Sequence, residues 1–449
     1  MNFDFPGMRT FATGKHLGER IMLLREKQRL TQEQLASKIR AQVSVVINGE
    51  ANTILFLGKH LKALRKYFKV EDLPILDNER ASYRRRLYLW RDYMKIGSAD
   101  KVKELWDELK CIEELICCDA ELVLLYRMFE IRMLATKTMY DEAEEMLAQS
   151  EKYMDMFTDE TLYHYHYNKG FISTCRGNYN ESVKQFLDAL EIYDCNDNLL
   201  PEADFGLYYN ISRCYTYTDM PVMAMLYLQR VSEIHIDDRL SPMRFMVDID
   251  TSLNYVYLNQ LRDAEILLYK CYDDARFLSN KVHVGNVLCN YGLLYKKKES
   301  WEEAIGYFDQ ALEYFQEGSQ FYYIAIYHKI HCLVLTKKTA KLVKASELLK
   351  KIQLSCEDEM WQKYFQALSH FFTIHRNITS RHLESERYIK EVAIPYFREC
   401  DSYFDILDYC QLLESHYAKS KRITKSLEIT KEILAVVQRC YCNHIGGVL

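Results

Sequence analysis

Three asparagines recur at one position of a sequence repeat, where their side chains could hold a peptide backbone. Asn168, Asn210 and Asn290 each stand fourteen residues before a small residue. In the repeat between Asn210 and Asn290, Asp250 takes that position and Asn254 lies one helical turn further on, and His331 holds it in the next repeat. An asparagine side chain offers both a donor and an acceptor, which match the C=O and N–H of an extended peptide. The residues expected to bind a peptide are Asn168, Asn210, Asn254, Asn290 and His331.

These side chains also have a structural alternative. An asparagine in a helical hairpin can bond the adjacent helix instead of a ligand. The tyrosines around them are expected to pack between helices; they are Tyr167, Tyr209, Tyr255 and Tyr291. The sequence leaves both roles open for the asparagines.

No pattern typical of a catalytic or metal site is present in the sequence. It lacks a glycine-rich phosphate loop and the HExxH and GxSxG motifs. The close histidine pairs, His164/His166 and His328/His331, have no cysteine or carboxylate that would complete a recognisable ligand set. The fourteen cysteines are scattered without a CxxC motif, which favours buried free thiols. We predict that the protein is not an enzyme and has no metal or cofactor.

The elements that carry the asparagines recur about every forty residues. Eight small residues follow one another at intervals of 39 to 42: Ala143, Ser182, Ala224, Ala264, Ala304, Ala345, Ser385 and Ser426. The residues four positions later are Leu147, Phe186, Leu228, Leu268, Phe308, Leu349, Ile389 and Thr430. Seven of these eight are bulky and apolar. This pattern resembles the second helix of the tetratricopeptide (TPR) hairpin.

With a less regular pair at 90–115, the pattern predicts about nine helical hairpins from residue 81 onward. TPR hairpins stack into a right-handed superhelix whose concave groove is lined by their first helices, and we expect a partner to bind there. Scarce glycine (15) and proline (6) also favour an all-α fold. The N-terminus lacks a signal-peptide pattern and no long apolar run occurs, so we expect a cytoplasmic protein.

Charge separates the first seventy residues from the rest. They hold thirteen lysines and arginines against five acids, a net charge of +8, whereas the remaining residues carry −13. A basic head on an acidic body is typical of a phosphate-binding module joined to a domain that does not bind nucleic acid.

Within the basic head, apolar spacing predicts short helices. Leu17, Ile21 and Leu24 indicate a first helix that ends near Lys27. Thr31 stands three residues before Gln34, which is a capping box, so a second helix should run from Gln32 to about Ile39. Three valines at 43–46 predict a third helix that Gly49 ends, and 61–73 supplies a fourth.

The segment LTQEQLA (30–36), the Gly49-Glu50 pair and the segment 62–64 resemble the XRE type of helix-turn-helix. In that family the third helix enters the major groove and the start of the second contacts phosphates. By this resemblance, the residues expected to contact DNA are Thr31, Gln32, Arg40, Gln42, Ser44 and Asn48. Only twelve residues separate Ala36 from Gly49, roughly one helical turn less than the family pattern. The alternative is a degenerate helix-turn-helix that serves as a folding or dimerisation unit.

A helix-turn-helix followed by TPR-like repeats resembles the RRNPP family, the cytosolic receptors for signalling peptides in quorum sensing of Gram-positive bacteria. The resemblance implies a DNA-binding domain at 1–70, a linker at 71–80 and a peptide-binding TPR-like domain at 81–449. It implies a homodimer whose DNA-binding heads bind an inverted repeat in double-stranded DNA under the control of a short peptide. One alternative is a TPR regulator that sequesters or dephosphorylates a response regulator and has a vestigial helix-turn-helix. Another is a general TPR scaffold.

Overall fold

The structure is a computed structural model that describes residues 17–51, 53, 58–69, 77–96, 98–116, 120–195, 202–234, 241–277, 280–336, 338–376 and 381–441. Every regular element in these ranges is a helix, as the composition predicts. The chain forms two compact units, residues 1–201 (unit 1) and 202–449 (unit 2).

Unit 1 contains ten α-helices within its described residues. They are α1 (Leu17–Lys27), α2 (Gln32–Lys38), α3 (Val43–Glu50), α4 (Gly58–Phe68), α5 (Asp77–Ile96), α6 (Ala99–Ile116), α7 (Ala120–Thr136), α8 (Tyr140–Ser150), α9 (Asp159–Cys175) and α10 (Tyr179–Asp194). A 3₁₀ turn follows α8 at Glu151–Met156.

Unit 2 contains thirteen α-helices within its described residues. They are α11 (Glu202–Tyr217), α12 (Pro221–Glu233), α13 (Ser241–Tyr257), α14 (Leu261–Phe277), α15 (Lys281–Lys297), α16 (Trp301–Leu312), α17 (Gln320–Leu335), α18 (Thr339–Ser355), α19 (Glu359–His375), α20 (His382–Tyr388), α21 (Ile394–Glu399), α22 (Tyr403–Lys419) and α23 (Ile423–Tyr441). A π-helical turn at Ile389–Ala393 joins α20 to α21, and Pro395, which lacks a backbone N–H, follows it.

The four predicted helices of the head are present, although α3 ends at Glu50 rather than Gly49 and α4 spans Gly58–Phe68 rather than 61–73. The capping box at the start of α2 is confirmed: Thr31 Oγ1 accepts from the Gln34 N–H, and the Gln34 side chain accepts from the Thr31 N–H. An apolar core joins α1 to α4 and includes Ile21, Leu35 and Phe68. The predicted linker 71–80 overlaps α5, which begins at Asp77, and residues 70–76 lie outside the described residues.

The remaining described helices pair in chain order into nine hairpins, from α5/α6 to α22/α23, with α20 and α21 together forming one second helix. The first helices also carry small residues where they cross their second helices, because Gly170 and Gly292 stand twelve residues before Ser182 and Ala304. A Cβ atom added at Gly170 or Gly292 would lie 2.9 or 2.5 Å from the ring of Phe186 or Phe308 on the partner helix. The bulky residue at i+4 therefore packs onto a position where the first helix has no side chain.

The predicted repeat pairs are buried in seven of the eight cases, from Ala143 to Ile389. Ser426 and Thr430 on α23 are the exception, because Thr430 is exposed.

Candidate functional site

Three of the predicted asparagines bond the preceding first helix. The Nδ2 atom of Asn168 on α9 donates to the Met128 carbonyl of α7 at 2.7 Å. Asn290 on α15 donates to the Ile249 carbonyl of α13 at 3.3 Å. Asn254 on α13 donates to Thr216 Oγ1 of α11 at 2.8 Å. Each amide therefore satisfies a buried acceptor and fixes the spacing of two successive first helices.

The asparagines differ in how far a ligand could reach them. Asn168 and Asn254 are fully buried, and Asn210 is 8% exposed. Asn290 is half-buried, and its described bond uses only the amide N–H. The structure thus gives Asn168 and Asn254 the inter-helix role that the sequence left open. Of the three asparagines whose bonds are described, Asn290 has the most accessible side chain. Peptide binding stays a prediction for all four asparagines.

His331, the fifth predicted residue, lies inside unit 2. Its side chain packs edge-on against Phe371 and its Nδ1 atom is 3.7 Å from Asp408 Oδ2. Burial and the nearby Lys296 ammonium lower the pKa of His331 to about 3, so the imidazole is neutral.

An arginine that the asparagine pattern does not include extends the site in unit 1. Arg132 on α7 donates from Nε to Asn168 Oδ1 at 2.8 Å, and its guanidinium lies 3.8 Å from the ring centre of Tyr167. Burial lowers the pKa of Arg132, although the neighbouring tyrosines act in the opposite direction. Arg132 stands three residues after Phe129, which holds the asparagine position of its own repeat, so the same helix-face argument could have found it.

Arg132 differs from the buried arginines of the described chain in its charge balance. Arg25, Arg91 and Arg127 each pair with a carboxylate, of Glu50, Asp92 and Glu130 respectively. No ion pair joins Arg132 to a carboxylate within the described residues, and its guanidinium also interacts with the Tyr167 side chain. A half-buried guanidinium without a carboxylate partner favours a carboxylate ligand.

In unit 2, charged and phenolic groups lie beside the asparagine positions. Arg213 on α11 donates to the Tyr217 hydroxyl at 3.2 Å and lies 5.7 Å from the ring centre of Tyr209. Burial raises the pKa of Asp250 on α13, and Arg213 and the Tyr209 hydroxyl partly oppose this shift. The Asp250 position therefore lies in a polar environment between α11 and α13.

The residues predicted to contact DNA lie around α2 and α3. Arg40, in the turn between the two helices, Gln42, the N-cap residue of α3, and Ser44 are exposed, and Asn48 is half-buried. Ile47, which the sequence prediction did not include, is 44% exposed on the same face of α3 as Ser44. An exposed apolar residue on such a face can contact a thymine methyl group.

A buried ionic cluster fixes α3 to the rest of the head. Arg25 on α1 donates from Nε and Nη2 to the Glu50 carboxylate at 2.7 and 3.0 Å, and from Nη1 to the Leu30 carbonyl. Gln32 donates to Glu50 Oε2 at 2.8 Å. The amide N–H of Gln32 thus has a structural partner, whereas Thr31 caps α2. DNA contact by these two residues stays a prediction.

No group of residues able to hold a metal ion occurs within the described residues. No helix of the described part of the chain is long and apolar enough to cross a membrane. Of the ten cysteines described as free thiols, seven are buried, as expected, and Cys175 and Cys195 are exposed.

Two curated proteins are similar to this sequence, although no protein-family model matches it. The transcriptional activator NprA of Geobacillus stearothermophilus is 22% identical over 355 residues, which cover 77% of this chain and 85% of NprA. The regulatory protein RapG of Bacillus subtilis is 21% identical over 248 residues, which cover 55% of this chain and 66% of RapG.

Solved structures share the fold. A Rap protein complexed with competence and sporulation factor has a TM-score of 0.64 at 16% identity, covering 80% of this chain and 98% of that one. NprR in complex with its cognate peptide NprX has a TM-score of 0.61 at 18% identity, covering 79% and 99%. The apo form of NprR from B. thuringiensis has a TM-score of 0.59 at 18% identity, covering 80% and 99%.

The repeat packing and these likenesses define the class of protein: an all-helical solenoid of TPR-like hairpins. Taken with the two sequence relatives, which are 22% and 21% identical, they make the chain similar to the RRNPP family of TPR-like, peptide-responsive regulators.

Proposed function

We propose that this protein is a peptide-controlled transcriptional regulator that acts in quorum sensing. Its first helices bind a short signalling peptide, and α1 to α4 bind DNA. The observation that carries the proposal is Arg132, a half-buried guanidinium with no carboxylate partner among the described residues, beside the asparagine that joins α7 to α9. A peptide terminus or acidic side chain would supply the missing carboxylate.

Two further observations support the proposal. The relative NprA, which matches over most of its length, is a transcriptional activator. The structures that share the fold include complexes of other proteins with competence and sporulation factor and with NprX. We further propose that residues 1–70 form the DNA-binding domain, that 71–80 connect it to the repeats at 81–449, and that the protein acts as a homodimer on an inverted repeat.

The peptide site is tested by selection from a random library of short linear peptides on the full-length protein. Arg132→Gln should weaken the selected peptides about tenfold or more, because a charge-assisted hydrogen bond is lost. Arg176→Gln is a matched control, because Arg176 is exposed and pairs with Asp141 and Glu144. Equal binding by both variants would contradict the role of Arg132.

The DNA site is tested by selection from random duplexes, with and without the selected peptide. The expected result is an inverted repeat whose affinity falls steeply with salt and changes on addition of peptide. Ser44→Glu, which places a negative charge on the exposed face of α3, should abolish binding, whereas Glu142→Gln on the exposed surface of α8 should not. No enriched duplex, with peptide binding intact, would contradict the proposed transcriptional function.

One observation favours a second candidate function. The helix α3 has eight residues, which agrees with the short segment noted in the sequence. If this helix does not bind bases, the repeats would sequester or dephosphorylate a response regulator. Binding of a purified receiver domain, released by the selected peptide, is the measurement that identifies this function.

A further inference from the structure

The last hairpin of unit 2 contacts three first helices, and the turn after a fourth, that are distant in sequence. TPR-like hairpins pack on their nearest neighbours, so such contacts lie outside the repeat pattern. Four hydrogen bonds within unit 2 link residues of α22 or α23 to earlier residues of the chain. The bonded residues are 78 to 185 positions apart in the sequence. The bonds come from the turn after α11 and from α13, α15 and α17, and these four helices carry Asn210, Asn254, Asn290 and His331.

The first of these contacts comes from the turn after α11. Asp219 adopts a left-handed backbone conformation, with φ of 55°, which aspartate tolerates better than most residues. Its Oδ2 atom accepts a hydrogen bond from the Phe404 N–H at 2.8 Å, in the first turn of α22. Ser402, the N-cap residue of α22, makes no capping bond through its side chain. Asp219 therefore caps α22 from 185 residues away.

The contact of α13 is made through its last residue. The Tyr441 hydroxyl on α23 donates to the Tyr257 carbonyl at 3.0 Å, and the ring centres of Tyr257 and Phe404 are 4.7 Å apart. This satisfies a carbonyl at a helix C-terminus, where no partner exists within the helix.

The contacts of α15 and α17 are charged. Lys296 Nζ on α15 donates to Asp408 Oδ2 at 3.1 Å, and the Tyr327 hydroxyl on α17 donates to Asp405 Oδ1 at 2.9 Å. His331 packs beside Asp408 as described above. A half-buried Lys–Asp pair has a geometric preference, because separating its partners leaves a partly buried charge without compensation.

We propose that α22–α23 is a brace that fixes the four first helices of unit 2 relative to one another, so that the peptide site in unit 2 is formed before the ligand binds. The brace is defined by Asp219, Tyr257, Lys296 and Tyr327 with their partners Phe404, Tyr441, Asp408 and Asp405. Its connection to ligand binding rests on the proposed peptide function, whereas its mechanical role does not.

The brace has a consequence for affinity. A site that is competent for only a fraction of the time binds with a Kd raised by the inverse of that fraction. Because each first helix of the site, or the turn that follows it, is joined to one hairpin, a change in curvature within unit 2 would break several of these bonds together. A peptide bound in unit 2 therefore meets the asparagines at a fixed spacing.

Hydrogen exchange of the full-length protein without ligand tests the brace. Asp219→Ala removes the cap, and Asp219→Asn is the matched control, because asparagine caps a helix about as well as aspartate does. A lost cap of about 1 kcal/mol corresponds to roughly fivefold faster exchange where opening limits the rate. The expected result is faster exchange in α22 and also in α13 and α15, with Asp219→Asn unchanged.

Faster exchange confined to α22 and the turn that carries Asp219 would overturn the brace, because Asp219 would then act only locally. Tyr441→Phe provides a second, milder test, since it removes only the hydroxyl that bonds Tyr257. Faster exchange in both α13 and α15 supports the brace, and a change in α23 alone contradicts it. Since these measurements use no peptide, their outcome is independent of whether a peptide ligand is found.

Discussion

The crossing of α15 and α16 allows a quantitative test of the repeat packing. In Gly292→Ala, the new Cβ atom would lie 2.5 Å from Cε1 of Phe308, which is fully buried and belongs to α16. In Gly306→Ala, on α16 itself, the new atom would meet nothing within 4 Å. Both glycines lie in helix interiors, so both variants gain helix propensity of about 1 kcal/mol.

Because this propensity gain is common to the two variants, the difference between them isolates the cost of the steric overlap. Overpacking a close-packed site costs about 1–3 kcal/mol. We therefore expect Gly306→Ala to stabilise unit 2 by up to about 1 kcal/mol and Gly292→Ala to have no net gain or to destabilise it by up to about 2 kcal/mol.

Urea unfolding measures this difference as a shift in midpoint at constant m-value, with hydrogen exchange of α15 and α16 to localise the effect. Equal stability of the two variants would refute the reasoning, because the first helix would then not approach Phe308 as closely as the structure shows.

Two further predictions concern ionisable groups. Burial raises the pKa of Asp405 to about 6, above its ordinary value of 3.8. The protonated carboxyl therefore contributes stability to unit 2 that is fully present below pH 3.8 and is lost as the pH rises through about 6. Between pH 5 and 7.5, the urea midpoint should fall in the wild type and change less in Asp405→Asn. The groups that face Asp405 are Asp408 and Tyr409 on the same helix, Lys296, Tyr327, Tyr364, Tyr257 and Asp219. Glu50→Ala should destabilise the head by about 3–5 kcal/mol, because the buried Arg25 loses its partner. Hydrogen exchange in α1 to α3 measures this loss, and Glu33→Ala, at an exposed residue, is the control. If Glu50→Ala protected these helices as well as Glu33→Ala does, the prediction would be contradicted.

Local signals in the sequence were sufficient for the head and for the hairpins. The capping box of Thr31 and Gln34 determines the start of α2, because both of its bonds lie within three residues. The small residue and its bulky neighbour at i+4 identify each second helix, since close helix approach requires them wherever a following repeat covers that helix.

The brace could not be predicted in the same way. Asp219 and Phe404 are 185 residues apart, and neither occupies a repeating position. The roles of the asparagines were also beyond the sequence, because an amide at one helix position can bond either a ligand or the adjacent carbonyl. The bond of Asn168 to Met128 becomes visible only when α7 and α9 are placed side by side.

These contacts also bear on how a peptide would act on the DNA-binding head. If the brace holds the first helices of unit 2 at fixed spacing, a ligand has little conformational freedom to change there. Arg132 and Asn168, in contrast, join α7 to α9 within unit 1, the compact unit that also contains α1 to α4. A ligand carboxylate at Arg132 would compensate its buried charge and favour the packing of α7 on α9 in which the guanidinium stacks on Tyr167. Under the proposed function, control of the head therefore depends more on Arg132 than on the asparagines of unit 2, and Arg132→Gln should reduce the effect of peptide on DNA binding more than Asn290→Ala does.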